Sequence, residues 1–138
     1  MITDITYRFD GAGYLKPGYT HVYVVPAEGG APRQLTFGAF NESGPLSWAP
    51  DSSYIVATGN RGDNWRREPV NTELYRISLN DGAITQLTER NGPDTSARIS
   101  PDGKSIAYLS FEDKFMGYQN LELHLMNADG TDSRSLTA

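Results

Sequence analysis

Gln34-Leu35-Thr36, Gln86-Leu87-Thr88 and Ser135-Leu136-Thr137 are one phrase written three times along this chain. Each copy follows an apolar run and a glycine-containing turn: His21-Val22-Tyr23-Val24-Val25 with Gly29-Gly30, Glu73-Leu74-Tyr75-Arg76-Ile77 with Asp81-Gly82, and Glu122-Leu123-His124-Leu125-Met126 with Asp129-Gly130. Upstream of these, Ser47-Trp48-Ala49-Pro50-Asp51 aligns with Arg98-Ile99-Ser100-Pro101-Asp102-Gly103, and Tyr7-Arg8-Phe9-Asp10-Gly11 is a degenerate first copy. Self-similarity at a period of about 50 residues marks a tandem array of supersecondary units. Three units fill the chain.

Each unit reads as four short strands, A to D. In unit three, residues 97–99 are strand A, 105–110 strand B, 121–126 strand C and 133–137 strand D. The Asp-Gly pairs between them are hairpin turns, because glycine accepts the positive φ that tight turns require and aspartate bonds the nearby backbone. Ser52 stands where Gly103 stands one unit later, so that turn is expected to be strained or of another type. Strand C is apolar on both alternating rows, with Val22, Leu74 and Leu123 on one and Val25, Ile77 and Met126 on the other. A sheet apolar on both faces must be covered on both, as happens when four-stranded blades stack around an axis. The expected fold is therefore all-β: a single β-propeller segment over residues 1–138, with four-stranded antiparallel blades at about 2–37, 45–88 and 96–137.

Three blades are too few to close a ring, since propellers have about 4 to 8. The chain is expected either to be part of a larger propeller or to pair with a second copy into a six-bladed ring. Self-association is the first expectation, because an open segment leaves an apolar blade face at each end.

Composition sets further bounds. A hydrophobic fraction of 38% supplies a core, and the absence of cysteine excludes disulfides and thiolate metal sites. The formal charge is −5 with dispersed cations, which argues against a nucleic-acid partner. The first twenty residues lack an apolar h-region, and no run approaches the roughly 18 apolar residues of a membrane span. A cytoplasmic chain is expected, or a periplasmic one where a signal precedes it.

The order Thr20-His21-Val22-Tyr23-Val24-Val25-Pro26-Ala27-Glu28-Gly29-Gly30, Pro32-Arg33-Gln34-Leu35-Thr36 and Trp48-Ala49-Pro50-Asp51 resembles TolB-like and WD-type propeller repeats. More narrowly, Tyr7-Arg8-Phe9-Asp10-Gly11-Ala12-Gly13-Tyr14 and Met126-Asn127-Ala128-Asp129-Gly130 resemble the N-terminal propeller of prolyl oligopeptidase-type serine peptidases, in the acylaminoacyl-peptidase and dipeptidyl-peptidase branch. The resemblance implies a non-catalytic domain that caps an α/β-hydrolase domain and filters access to its active site. No Gly-x-Ser-x-Gly elbow occurs in the sequence. No catalytic residue and no cofactor is expected; the alternative reading is a free-standing TolB-like module that binds peptides or proteins.

Strand parity puts the short A–B and C–D turns on one rim and the longer B–C and D–A connections on the other. The second rim carries residues 37–44, 59–70, 89–95 and 111–119, and long loops on a rigid scaffold are where binding residues concentrate. Trp65, Arg66, Arg67 and Glu68 in one loop, with Phe115, Met116 and Tyr118 in the next, are the candidate interface or substrate gate, set against a plain covering of the blade tops. Other candidates have plainer readings. His124 aligns with Tyr23 and Tyr75 and reads as a packed strand residue; His21 aligns with Glu73 and Glu122, a polar position where strand C starts. Two histidines on separate blades make no metal site. Asn127-Ala128-Asp129-Gly130-Thr131-Asp132 lacks the ligand run of a calcium loop, and Arg61-Gly62-Asp63 reads as a turn rather than an adhesion tripeptide.

Overall fold

The computed structural model describes residues 5–137, so Ala138 and the expected start of unit one at residues 2–4 lie outside it. Among the described residues all regular structure is β. Unit one holds β1 (Arg8–Phe9), β2 (Gly13–Tyr14), β3 (Tyr23–Val24) and β4 (Arg33–Gln34). Unit two holds β5 (Glu42–Trp48), β6 (Tyr54–Gly59), β7 (Glu73–Ser78) and β8 (Ile84–Gln86), and unit three holds β9 (Asp94–Ile99), β10 (Ser105–Ser110), β11 (Glu122–Asn127) and β12 (Arg134–Ser135). Units two and three are each one four-stranded antiparallel sheet in sequence order.

Unit one departs from the expected four-stranded blade. It forms two separate ribbons, β1 with β2 and β3 with β4. The physical reason lies in the B position. Units two and three place there six residues of good strand-forming character, Tyr54-Ile55-Val56-Ala57-Thr58-Gly59 and Ser105-Ile106-Ala107-Tyr108-Leu109-Ser110, whereas unit one offers Gly13-Tyr14-Leu15-Lys16-Pro17-Gly18. Two glycines and a proline without an N–H cannot extend a central ladder.

The repeated Leu-Thr phrase closes strand D onto strand C. The hydroxyl of its threonine accepts from a strand C amide three times: Val22 N to Thr36 Oγ1 at 2.9 Å, Leu74 N to Thr88 Oγ1 at 3.0 Å, and Leu123 N to Thr137 Oγ1 at 2.9 Å. The leucine amide answers one residue earlier, donating to the carbonyls of Val22, Leu74 and Leu123 at 2.8, 2.8 and 2.7 Å. In units one and two the glutamine side chain then donates to the threonine carbonyl, at 2.7 and 2.8 Å. A threonine fits because its hydroxyl accepts and donates at once while its methyl packs.

The A strands begin earlier than expected, at Glu42 and Asp94. Both carry a bulge, with Gly44 (φ 71°) and Ser96 (φ 58°) in the left-handed region. A bulge breaks the period-2 pattern from which a strand is read. The A–B turns match across the units: Ser52 N donates to Ala49 O and Gly103 N to Ser100 O, both at 2.9 Å. Ser52 adopts φ 58° where Gly103 has φ 70°, so the turn is the same type, with strain at the serine.

Packing is head to tail. One core places Leu74 with Ala97, Ile106, Tyr108 and Met126, and the other places Val22 and Leu35 with Ile55, Ala57 and Ile77. The first row of each strand C thus faces the second row of the next unit. Complete burial of a side chain such as Leu74 contributes about 2 kcal/mol or more. At the two ends the pattern runs out: Val25 is 55% exposed and Leu123 38% exposed.

Candidate interface on the loop rim

The two rims separate as strand parity requires. A–B and C–D turns lie side by side on one, where Leu79 N donates to Ser53 O and Ala128 N to Lys104 O, each at 2.9 Å. On the other rim each A strand is tied to the preceding unit, Glu42 N to Thr20 O at 2.9 Å and Asp94 N to Thr72 O at 2.7 Å. That rim also carries a recurring rung. Register aligns Glu42, Gly59 and Glu73 across unit two, and Asp94, Ser110 and Glu122 across unit three, so a small residue lies between two carboxylates. At Gly59 a Cβ would stand 2.5 Å from Glu42 Oε2, so a larger residue there would displace that carboxylate.

Arginines balance these acids. Arg61 pairs with buried Glu42 and lies over the rings of Phe40 and Tyr75, 5.3 and 5.5 Å from their centroids. Arg90 Nε lies 3.6 Å from Asp94 Oδ1. Glu73 accepts from Thr88 Oγ1 at 2.6 Å and from Arg90 N at 2.9 Å. Burial nevertheless pushes its carboxyl up to about 7, against the pull of those two bonds. It lines a polar pocket of about 410 Å³ together with Arg61, Tyr75, Arg90 and Asn91. Burial, reinforced by Glu73, also raises the Tyr75 hydroxyl. His124 is buried against Tyr108, ring centroids 5.3 Å apart, and desolvation lowers its basicity. His21 Nδ1 lies 3.3 Å from Thr36 Oγ1. Among the described residues no three His, Cys, Asp or Glu side chains are grouped to hold a metal.

A larger cleft, about 790 Å³, opens between the β1–β2 hairpin and the rim of unit two. Trp65 and Arg66 form one wall. Tyr19 meets the Trp65 ring edge-on at 6.1 Å, and the Arg66 guanidinium sits 4.5 Å over the indole while donating to Tyr19 Oη at 3.0 Å. Facing them, Tyr7 and Tyr14 stack at 6.4 Å, beside Phe9 and Lys16. Asn41, Asn60 and Ser43 line the cleft between the walls.

The two expected aromatic loops do not converge on it. Arg67 and Glu68 are exposed and outside the lining. Phe115, 87% exposed, Met116 and Tyr118 project from the neighbouring loop. That loop has its own scaffold: Asp113 Oδ1 accepts from Phe115 N at 2.7 Å, and Gln119 Oε1 accepts from Lys114 N and Met116 N at 2.9 and 3.1 Å. It is also welded to the D–A loop, since a Cβ on Gly92 (φ 143°) would stand 2.1 Å from Phe111 O. Tyr7, Phe9 and Tyr14 were missed as site residues because their segment reads as a degenerate strand. Three aromatics between residues 7 and 14, against Trp48 and Tyr54 in the matching segment of unit two, were the available signal.

Known proteins agree with this architecture. Dipeptidyl-peptidase 5 of Porphyromonas gingivalis is 33% identical over 86 residues, covering 61% of this chain and 12% of that protein. A TolB-type structure from Agrobacterium tumefaciens superimposes with a TM-score of 0.67 at 23% identity, over 86% of this chain and 38% of the other. An oligogalacturonate lyase solved with manganese shares the fold at a TM-score of 0.67 and 17% identity, over 91% and 36% of the two chains. This chain thus spans only an eighth of the peptidase and little more than a third of either solved structure. The profile of the dipeptidyl peptidase IV N-terminal region matches residues 10–115, most of the sequence. The chain belongs to that family and is a TolB-like β-propeller resembling the peptidase propeller.

Proposed function

We propose that this chain is a three-repeat stretch of a β-propeller that acts as a non-catalytic scaffold and access gate beside the hydrolase domain of an acylaminoacyl- or dipeptidyl-peptidase-like serine peptidase. The observation that carries the reading is the head-to-tail packing with open ends. Val25 on unit one and Leu123 on unit three present the two complementary rows that neighbouring blades bury inside the chain. More blades of the same kind fit there, supplied by the rest of a parent propeller or by a second copy completing a six-bladed ring. The family match supports the peptidase setting. The TolB-like neighbours, which cover most of the chain, support the second reading of a free-standing interaction propeller.

Light scattering across a concentration series tests ring completion. A dimer at twice 15.2 kDa that Leu123→Asp returns to monomer is the result expected of a self-closing half-ring. A monomer whose mass and stability ignore both Val25→Asp and Leu123→Asp overturns the role given to the open faces. Purified chain is expected to leave acylated and dipeptidyl chromogenic substrates intact, and turnover that survives repurification overturns the non-catalytic assignment.

A further inference from the structure

We propose that Asn91 is a site of spontaneous deamidation, held in check by the fold, and that its conversion releases the loop carrying Phe115, Met116 and Tyr118. The proposal concerns the chain itself and does not depend on the peptidase setting.

The sequence supplies the reacting pair. Of the asparagines in this chain, Asn91 alone is followed by glycine. In the reaction the Gly92 amide nitrogen attacks Asn91 Cγ and closes a five-membered succinimide. The bond from Cγ to Nδ2 breaks, and ammonia leaves with the proton that Gly92 gives up. Water then opens the ring at either carbonyl, giving aspartate or, with the backbone routed through the side chain, isoaspartate. Glycine favours the attack because no Cβ crowds the nucleophile and its backbone turns freely. Asn91 is exposed, so water reaches the reacting amide.

The fold holds the two reacting groups apart. Gly92 N donates to Asn71 Oδ1 at 3.0 Å, and Asn91 Nδ2 donates to Asp113 O at 3.0 Å. Nucleophile and leaving group are thus engaged by different neighbours. Gly92 is itself buried, and a Cβ on it would stand 2.1 Å from Phe111 O, so the backbone there has no room to swing. Cyclisation therefore proceeds from a locally opened loop, at a rate scaled by the fraction open.

The same contacts make the product disruptive. Asn91 is bonded twice to Asp113, because Asp113 N also donates to Asn91 O at 2.6 Å. An aspartate side chain has no N–H for Asp113 O and sets a carboxylate against it. Isoaspartate lengthens the backbone by one carbon just before Gly92, where close packing leaves no slack. Asp113 anchors the loop that carries Phe115, so losing this pair frees the loop from the rim.

The test is peptide mapping by mass spectrometry of the whole chain kept in mildly alkaline buffer, folded and in urea. Asn91 is expected to convert first in urea, and at least about tenfold more slowly in the folded chain. Asn71→Ala removes the acceptor of Gly92 N and should bring the folded rate toward the urea rate, whereas Asn71→Asp retains an acceptor and should retain the brake. Where Asn71→Ala unfolds, hydrogen exchange of the unaltered chain decides: Gly92 N–H should exchange slowly, and free exchange removes the brake. Chymotrypsin should cut the purified deamidated form after Phe115 and Tyr118 about tenfold faster than the intact chain, with Asn91→Asp cut as readily. Equal conversion rates folded and unfolded, another asparagine converting first, or equal cutting of both forms overturns the proposal. Ring completion is read from the solution mass of fresh chain, so the two proposals fail separately.

Discussion

Among the described residues, unit two has a neighbour on each face, whereas units one and three are each covered on one. Equivalent residues differ accordingly: Leu74 is buried completely, while Leu123 in the same row is partly exposed. Glu73 and Thr88 are buried in unit two, while Glu122 and Thr137 reach solvent. The Leu-Thr clip recurs in all three units, but the B–C ladder forms only where strand B supplies six suitable residues. Short-range pairing is thus written into each repeat, and the stability of a unit comes from what lies against it.

The largest expected effect tests that coverage. Leu74→Ala should lower unfolding free energy by about 3 kcal/mol, and Leu123→Ala by less than about 1 kcal/mol, as measured by urea denaturation in dilute solution. Equal losses would mean that a partner covers unit three and would erase the contrast. Next is pH. The Glu73 carboxyl is raised from 4.5 to about 7 in the fold, so its favourable contribution is complete below pH 4.5 and disappears as pH rises to 7. That swing is up to about 3 kcal/mol, and Glu73→Gln should remove it from the stability difference between pH 5 and pH 8. An unaltered pH profile in the variant would take Glu73 out of the account.

Smaller changes sharpen the same contrast. Thr88→Val strips the acceptor from Leu74 N and the donor from Glu73, an expected loss of about 2 kcal/mol for buried partners left unpaired. Thr137→Val removes an exposed copy of the clip and should stay below about 0.5 kcal/mol. A chevron or equilibrium series that ranks the two alike would contradict the role of burial. Smallest is Ser52→Gly, which relieves a left-handed serine and should raise stability by about 0.5 kcal/mol; Gly103→Ser should do the reverse, read from the melting midpoints.

Much of the fold was legible because it depends on local chemistry. Strand B of unit three, Ser105–Ser110, has the expected ends, and the two-faced strand C anticipated both cores. What escaped was produced by irregularity or by absence. Glu42 and Asp94 read as loop acids, since a buried carboxylate at a strand start is intelligible only once Arg61 and Arg90 are placed beside them. The failed ladder of unit one was visible in Pro17 but was overridden by the force of the repeat. Loop length and residue type single out Trp65 and Arg66, which the structure places in the lining of the cleft. Their companions Tyr7, Phe9 and Tyr14 come from a segment some fifty positions earlier, which only tertiary structure brings alongside.

Head-to-tail stacking has a further consequence, because nothing in it limits the number of copies. In the assembly proposed above, the face around Leu123 would take the face around Val25 of another copy, and each added copy would recreate both ends. Heterologous contacts of this kind close into a ring only when the rotation per step divides a full circle, and otherwise propagate as a helical filament. For the proposed assembly, the twist between adjacent sheets would decide between a finite ring and a polymer.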